Sequence, residues 1–359
     1  MPLIASMGNK PRVILGLMTF GPPGQESAGA RITDIGEYNK VLDTLQSRGY
    51  NEVDTARVYV SGKQEAHTRE AKWKERGLTL ATKVKYPNEA GANVGSKVLE
   101  SVEVSLKELG TDTIDILYLH AADRATPFAD TLEAIDNLHK AGKFVTFGLS
   151  NFTAAEVAEV VMTCKYNNWV RPTIYQAMYN AITRGIEAEL VPACRRYGLD
   201  LVVYNPIAGG LFSGKIKSAD IKPTEGRFSD NAGTGANYRA RYFKDATFRA
   251  LQTIEQAVAK HQGEGLTMIE TALRWVVHHS KLNVLPEKGG NDGIIIGISS
   301  LQQLEGNLDA LEKGPLPEDV VQALDEAWLI TKAEAPNYWH KELAYTYDTK
   351  EALFGAAAK

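Results

Sequence analysis

The 359-residue sequence predicts an α/β fold, a closed (β/α)8 barrel of the TIM type, on two observations. Eight short apolar runs rich in β-branched residues recur along the chain, most of them nearly continuous in apolar character. Strands buried on both faces of a parallel sheet read this way. Segments with helical spacing lie between the runs, so each connection is a crossover. A count of eight favours closure into a barrel over an open doubly wound sheet.

In chain order the runs are 12–18 (RVILGLM), 51–56 (NEVDTA), 79–84 (TLATKV), 114–120 (IDILYLH), 144–150 (FVTFGLS), 173–180 (TIYQAMYN), 200–206 (DLVVYNP) and 293–299 (GIIIGIS). Among the connections, Val98, Val102, Leu106 and Leu109 form one helical stripe. After the fifth run, Thr153 and Glu156 have the spacing of a capping box, in which hydroxyl and carboxylate satisfy orphan N–H groups at a helix start. Pro317 with Glu318 and Asp319 opens a late helix. The interval between the seventh and eighth runs is anomalous. Its polar, Gly-rich stretch 208–242 reads as a long loop at the barrel mouth, followed by helical segments near 248–261 and 267–279. The expected organisation is one domain over 1–359, with a core at about 12–334 and an extra C-terminal helix or tail over 335–359.

With 44% hydrophobic and 23% charged residues and a net charge of -4, the composition is that of a globular protein with a small-molecule partner, not a nucleic-acid or membrane binder. Cys164 and Cys194 form no CxxC pair and adjoin no His cluster, so neither a disulfide framework nor a metal site is expected. Residues 1–11 lack the apolar core of a secretory signal, and no apolar run reaches the roughly 18 residues of a membrane span. A cytoplasmic location follows as an expectation. Two motifs mislead. The stretch 209–215 (GGLFSGK) has the outline of a phosphate loop, but Ile216 stands where a Mg²⁺-binding hydroxyl is required. The adjacent His278 and His279 do not share the helix face that one metal needs. No GxGxxG follows the first run, so a dinucleotide would bind without the Rossmann fingerprint.

Reactive groups of such barrels sit where strands end and loops begin. The second run leads into Asp54, with Tyr59 five residues on; the third presents Lys83; the fourth ends on His120. Taken singly, each reads more readily as a solvated charge or a structural histidine; together they point four ionisable groups at one rim. Their chemistry suits carbonyl reduction. Hydride arriving at a carbonyl carbon leaves negative charge on oxygen, which a positioned acid must neutralise. Tyr59 supplies the acid, Lys83 is expected to make its phenol more acidic, Asp54 holds the ammonium, and His120 orients the carbonyl. A second chemistry, Lys83 as a Schiff-base nucleophile, uses the same placement.

These motifs also resemble the aldo-keto reductases over nearly the whole chain: GYNEVDTARVY (49–59), TLATKV, IDILYLHAAD (114–123), GLSNF (148–152) and IIIGISSLQQLEGNL (294–308). Within that family the chain is most similar to the aflatoxin aldehyde reductase branch, through LGLMTFG (15–21), YNPIAGGLFSGK (204–215), GRF followed by NYRARYF, and a late PNYW (336–339). The resemblance implies that Asp54, Tyr59, Lys83 and His120 are the catalytic tetrad and that the cofactor is NADPH (NADP⁺). It implies nicotinamide contacts from Ser150, Asn151, Gln176 and Tyr204, a pyrophosphate cover over 205–215 that includes Asn205, Pro206, Ile207, Gly209, Gly210, Leu211 and Lys215, and further cofactor contacts from Met18, Asp54 and Arg227. An adenosine-phosphate corner would comprise Gly297, Ser299, Ser300, Gln303 and Asn307.

Gln303 departs from the Arg of many NADPH-binding relatives, so preference for the 2′-phosphate would rest on Arg227, Lys215 and the two serines. Gly306 and Ala122 also depart from the family pattern, near the adenine and after His120. Tyr238 and Arg241 match substrate-touching positions beside Tyr59 and His120, and a guanidinium grips a carboxylate bidentately, which suits semialdehydes or dialdehydes. Tyr338 or Trp339 closes the pocket or anchors the tail. The resemblance also suggests detoxification of reactive aldehydes and a homodimer. A nucleotide-binding sensor like the channel β subunits, with little turnover, is the alternative reading.

Overall fold

In the computed structural model, residues 10–221, 223–230 and 234–355 are described. Eight parallel strands, β1 (Arg12–Gly16), β2 (Glu52–Asp54), β3 (Thr79–Lys83), β4 (Ile114–Leu119), β5 (Phe144–Ser150), β6 (Ile174–Met178), β7 (Asp200–Tyr204) and β8 (Gly293–Gly297), pair in sequence order, and β8 returns to β1 to close the barrel. The apolar runs locate all eight. They overrun most strand ends by one or two residues, because the continuation past the last ladder pair carries the loops of the mouth.

Strand side chains alternate between faces, and the alternation divides the core in two. Ile14, Ala81, Ile116, Tyr118, Ile174, Val202 and Ile295 fill the barrel interior. Their neighbours, Val13, Val53, Leu80, Leu117 and Val203 among them, point outward to the helices. Gly148 makes the interior fit, since a Cβ there would meet the Tyr118 ring at 2.4 Å. The N-terminal end is sealed by a buried bidentate ion pair, Arg12 Nε and Nη2 to Glu52 at 2.8 and 2.7 Å.

The helix Gly95–Leu109 buries Val98, Val102, Leu106 and Leu109, the predicted stripe. The helix Ala154–Asn167 opens with the predicted capping box, and Glu318–Thr331 begins directly after Pro317. The stretch after β7 differs from an irregular loop. It contains a 3-10 turn, Ala208–Ser213, and a helix, Gly235–Tyr242. That helix forms because Tyr238 and Tyr242, four residues apart, both bury against Phe228, a spacing obscured by the glycines and arginines around it. Gly235 starts it at a point where a Cβ would lie 1.9 Å from Ser229 O. Helices Asp245–Ala259 and Met268–His278 follow, and a short tail helix, Thr349–Phe354, ends the described chain. Among the described residues no helix is long and apolar enough to cross a membrane.

Candidate functional site

Two residues above each interior side chain lies the next inward position, so the uppermost ring of the barrel is fixed by strand periodicity. Lys83 stands above Ala81, Gln176 above Ile174, Tyr204 above Val202, Ser150 above Gly148 and His120 above Tyr118, with Asp54 two beyond Glu52. Lys83 Nζ donates to Asp54 Oδ1 at 2.5 Å and to Thr55 O at 2.7 Å, and Gln176 Nε2 donates to Asp54 Oδ2 at 2.8 Å. Both carboxylate oxygens are therefore engaged, with Lys83 1% and Asp54 3% exposed.

Tyr59 reaches this ring from the loop after β2. Three successive residues behind it, Val60, Ser61 and Gly62, hold left-handed backbone, which costs free energy for the first two. Arg57 offsets that strain by donating to Gly62 O and to the buried Glu65, which also accepts from Thr82 Oγ1 at 2.7 Å. The Tyr59 ring lies 5.1 Å from Lys83 Nζ and edge-on to His120 at 6.0 Å. Sequence reasoning thus selects four groups that do converge.

The charges behave differently from that reasoning in one respect. Burial, with the negative charge of Asp54 second, raises the Tyr59 phenol well above its ordinary value, and only Arg227 notably opposes. Whatever the Asp54-paired Lys83 ammonium contributes to the phenolate, it does not offset the burial of the ring. Burial lowers the Lys83 pKa while Asp54 counters the fall. His120 is held neutral by burial and by the charge of Lys83. Among the described residues its buried Nδ1 has no hydrogen-bond partner. An orphaned lone pair costs less than an orphaned N–H, which assigns the proton to Nε2.

The nicotinamide-side candidates form one network. Ser150 Oγ donates to Gln176 O at 2.9 Å, Asn151 Nδ2 to His120 O at 2.8 Å, and Tyr204 Oη to Asn151 Oδ1 at 2.8 Å. Beyond β7 the backbone turns left-handed at Asn205, Ala208, Gly209 and Gly210, while Pro206 and Leu211 bury and Ile207 stays partly exposed. Arg227 donates to Met18 Sδ at 3.1 Å and lies over the Tyr238 ring at 5.2 Å, which joins three predicted residues. At the far corner, beside the exposed Gly297, Ser299 N–H and Oγ donate to Gln303 Oε1 at 2.8 and 3.1 Å, Ser300 caps the helix Leu301–Leu311, and Asn307 is buried. Lys215 is exposed, and its N–H donates to Ser213 Oγ at 3.4 Å.

Arg241 also lies over Tyr238, at 5.3 Å, so two guanidinium groups flank one ring. Neither forms an ion pair with a carboxylate among the described residues. This donor set suits an anionic ligand such as a dinucleotide phosphate. Tyr338 anchors the tail, donating to Glu189 and accepting from Ala154 N–H at 3.0 Å. Two pocket residues escape sequence reasoning. Tyr86 packs edge-on against His120 at 5.2 Å, and His340 contacts Tyr86, Tyr204 and Arg241. Tyr86 lies just past the third run, where it was legible as a strand-end residue; His340, next to PNYW, carries no motif of its own.

A family model described as "Aldo/keto reductase family" matches residues 12–329. The chain is 43% identical over 305 residues to an aldo-keto reductase of Pseudocercospora fijiensis, covering 83% of this chain and 100% of that protein. It is 40% identical over 341 residues to the aflatoxin B1 aldehyde reductase member 2 of Rattus norvegicus, covering 92% of this chain and 88% of the relative. With the Homo sapiens protein of that name the identity is 42% over 338 residues, covering 92% and 90%.

Proposed function

This chain belongs to the aldo/keto reductase family, and on that premise we propose that it reduces aldehydes, and some ketones, to alcohols, with NADPH as reductant and Tyr59 as proton donor. The observation that carries the proposal is the convergence of a neutral phenol, a carboxylate-bound ammonium and a neutral imidazole on one rim, beside the Ser150–Asn151–Gln176 network. The nucleotide, when bound, supplies the hydride.

The remaining work falls to side chains. His120 donates from Nε2 to the carbonyl oxygen and orients it, and because it stays neutral it does not compete as the acid. Tyr59 keeps its proton at neutral pH. As negative charge builds on the substrate oxygen, that oxygen becomes a far stronger base than phenolate, and the Tyr59 Oη proton moves to it. Lys83 then stabilises the phenolate left behind, at the moment when its charge is needed. Ser150, Asn151 and Gln176 are placed to hold the nicotinamide amide, Tyr204 to stack on the ring, and Met18 and Arg227 to border it. Residues 205–211 and Lys215 cover the pyrophosphate. The Gly297, Ser299, Ser300, Gln303 and Asn307 corner takes the adenosine phosphate, with the 2′-phosphate preference carried by Lys215 and the two serines. Lys83 is poorly placed as a Schiff-base nucleophile, since two acceptors and near-complete burial restrain its nitrogen.

Tyr59, His120, Tyr238 and Arg241 would contact substrate, and the uncompensated Arg241 favours an aldehyde with a carboxylate tail. The names of the relatives that act on aflatoxin B1 aldehyde support reactive dialdehydes as a second class. Loss of NADPH absorbance with succinic semialdehyde and 4-nitrobenzaldehyde tests the proposal. Turnover of both is expected, faster with NADPH than with NADH. Tight NADPH binding without oxidation by either aldehyde would instead establish a nucleotide sensor.

A further inference from the structure

The C-terminal segment is strapped across the pocket by a buried ion pair that belongs to the barrel. Arg124, in the loop after β4, holds Glu156 through Nε at 2.7 Å and Nη2 at 3.0 Å. Its remaining Nη1 donates to two tail carbonyls, His340 O at 2.8 Å and Glu342 O at 3.2 Å. Tyr345 Oη donates to Glu156 Oε1 at 2.8 Å, and Thr346 N–H to Arg124 O at 3.0 Å. Between these ties the chain takes a left-handed turn at Lys341, whose ammonium donates to Pro87 O. His340 N–H closes the strap on Asn151 O at 3.2 Å, beside the nicotinamide-side network.

This arrangement delivers one imidazole into the pocket. Arg241 Nη2 lies 3.1 Å from His340 Nε2. A guanidinium has only donors, so Nε2 accepts, and the His340 proton resides on Nδ1, which faces Tyr86 Oη at 3.3 Å. Tyr204 Oη lies 3.3 Å from the same Nε2. The acceptor is neutral, so Arg241 is held in place among Tyr86, Tyr204 and Tyr238 while its charge remains uncompensated.

We propose that His340 is a specificity-determining residue: a neutral placeholder that positions Arg241 and yields its seat to the carboxylate end of an aldehyde substrate. An ionised carboxylate makes shorter, charge-assisted and bidentate bonds to a guanidinium, so it displaces a single imidazole lone pair. A neutral aldehyde gains nothing from the exchange. The selectivity therefore resides in a residue that the tail supplies and the barrel does not, and it rests on the reductase reading above for the identity of the substrate.

The test compares His340→Glu, which gives Arg241 a permanent internal carboxylate, with His340→Gln, which keeps a neutral acceptor. The ratio of kcat/KM for succinic semialdehyde to that for 4-nitrobenzaldehyde is expected to fall at least tenfold in His340→Glu, through KM, and to stay within about threefold of wild type in His340→Gln. Calorimetric titration of the NADP⁺-saturated protein with succinate, which cannot react, should show the same loss of affinity in His340→Glu alone. An unchanged ratio in His340→Glu, or equal losses in both variants, overturns the proposal. If wild type reduces neither aldehyde, the reductase reading fails, and the succinate titration still decides the role of His340.

Discussion

On the strand side of the pocket, Asp54, Lys83 and Gln176 are 3, 1 and 3% exposed and hold one another through bonds of 2.5 to 2.8 Å. On the tail side, His340, Tyr86 and Arg241 are only partly buried and meet at 3.1 to 3.3 Å. Strand ends give positions fixed by the barrel ladder and filled by groups that satisfy each other, which would preorganise the proposed proton transfer. The tail side gives positions fixed by a few tertiary ties and leaves Arg241 without a carboxylate partner among the described residues, which would suit the proposed recognition of variable substrates. On the reading proposed above, reaction and selectivity lie on different parts of the chain.

If the strand side is a closed network, opening it should cost most. Lys83→Met leaves the Asp54 carboxylate buried without its cation, and a loss of about 3 to 5 kcal/mol in denaturant unfolding is expected, together with loss of turnover. A loss below about 1 kcal/mol would show that Asp54 takes up a proton at little cost. Arg124→Ala breaks a buried pair too, but Glu156 keeps the Thr153 N–H and Tyr345. A smaller loss, about 2 to 3 kcal/mol, should accompany faster proteolysis within 336–346; a tail as resistant as wild type would show that other contacts hold it.

The third effect appears only in acid. Burial and the charges of Arg241 and Arg124 push His340 from 6.5 down to about 3. A histidine with a lowered folded pKa contributes fully above its unfolded value, and the contribution is lost as pH falls from about 6.5 toward 3. His340→Gln should therefore flatten the acid limb of the stability curve by at most ~1.4 kcal/mol per pH unit in that window. An identical limb in the variant would place His340 in water.

What the sequence discloses follows from distance along the chain. Strand runs, the stripe of Val98 to Leu109 and the Thr153 capping box are local patterns, and each is found where its spacing puts it. The rim position of Asp54, Lys83 and His120 follows from the same periodicity. The bond from Gln176 to Asp54 spans 122 residues, and the approach of His340 to Arg241 spans 99. Neither is encoded in any window. The helix Gly235–Tyr242 was hidden because its stabilising contact is Phe228, not its own composition. The direction of the Tyr59 shift was missed for a related reason: desolvation depends on what surrounds the ring, and charge sequence reveals only the neighbours.

The central claim is that Tyr59 gives the proton. Tyr59→Phe removes one oxygen and leaves the ring against Lys83 and His120. NADPH affinity, measured by fluorescence titration, should stay within about threefold of wild type, while kcat for 4-nitrobenzaldehyde falls by ~10² to 10⁴, the usual worth of a positioned acid. Equal kcat in the two proteins would contradict it.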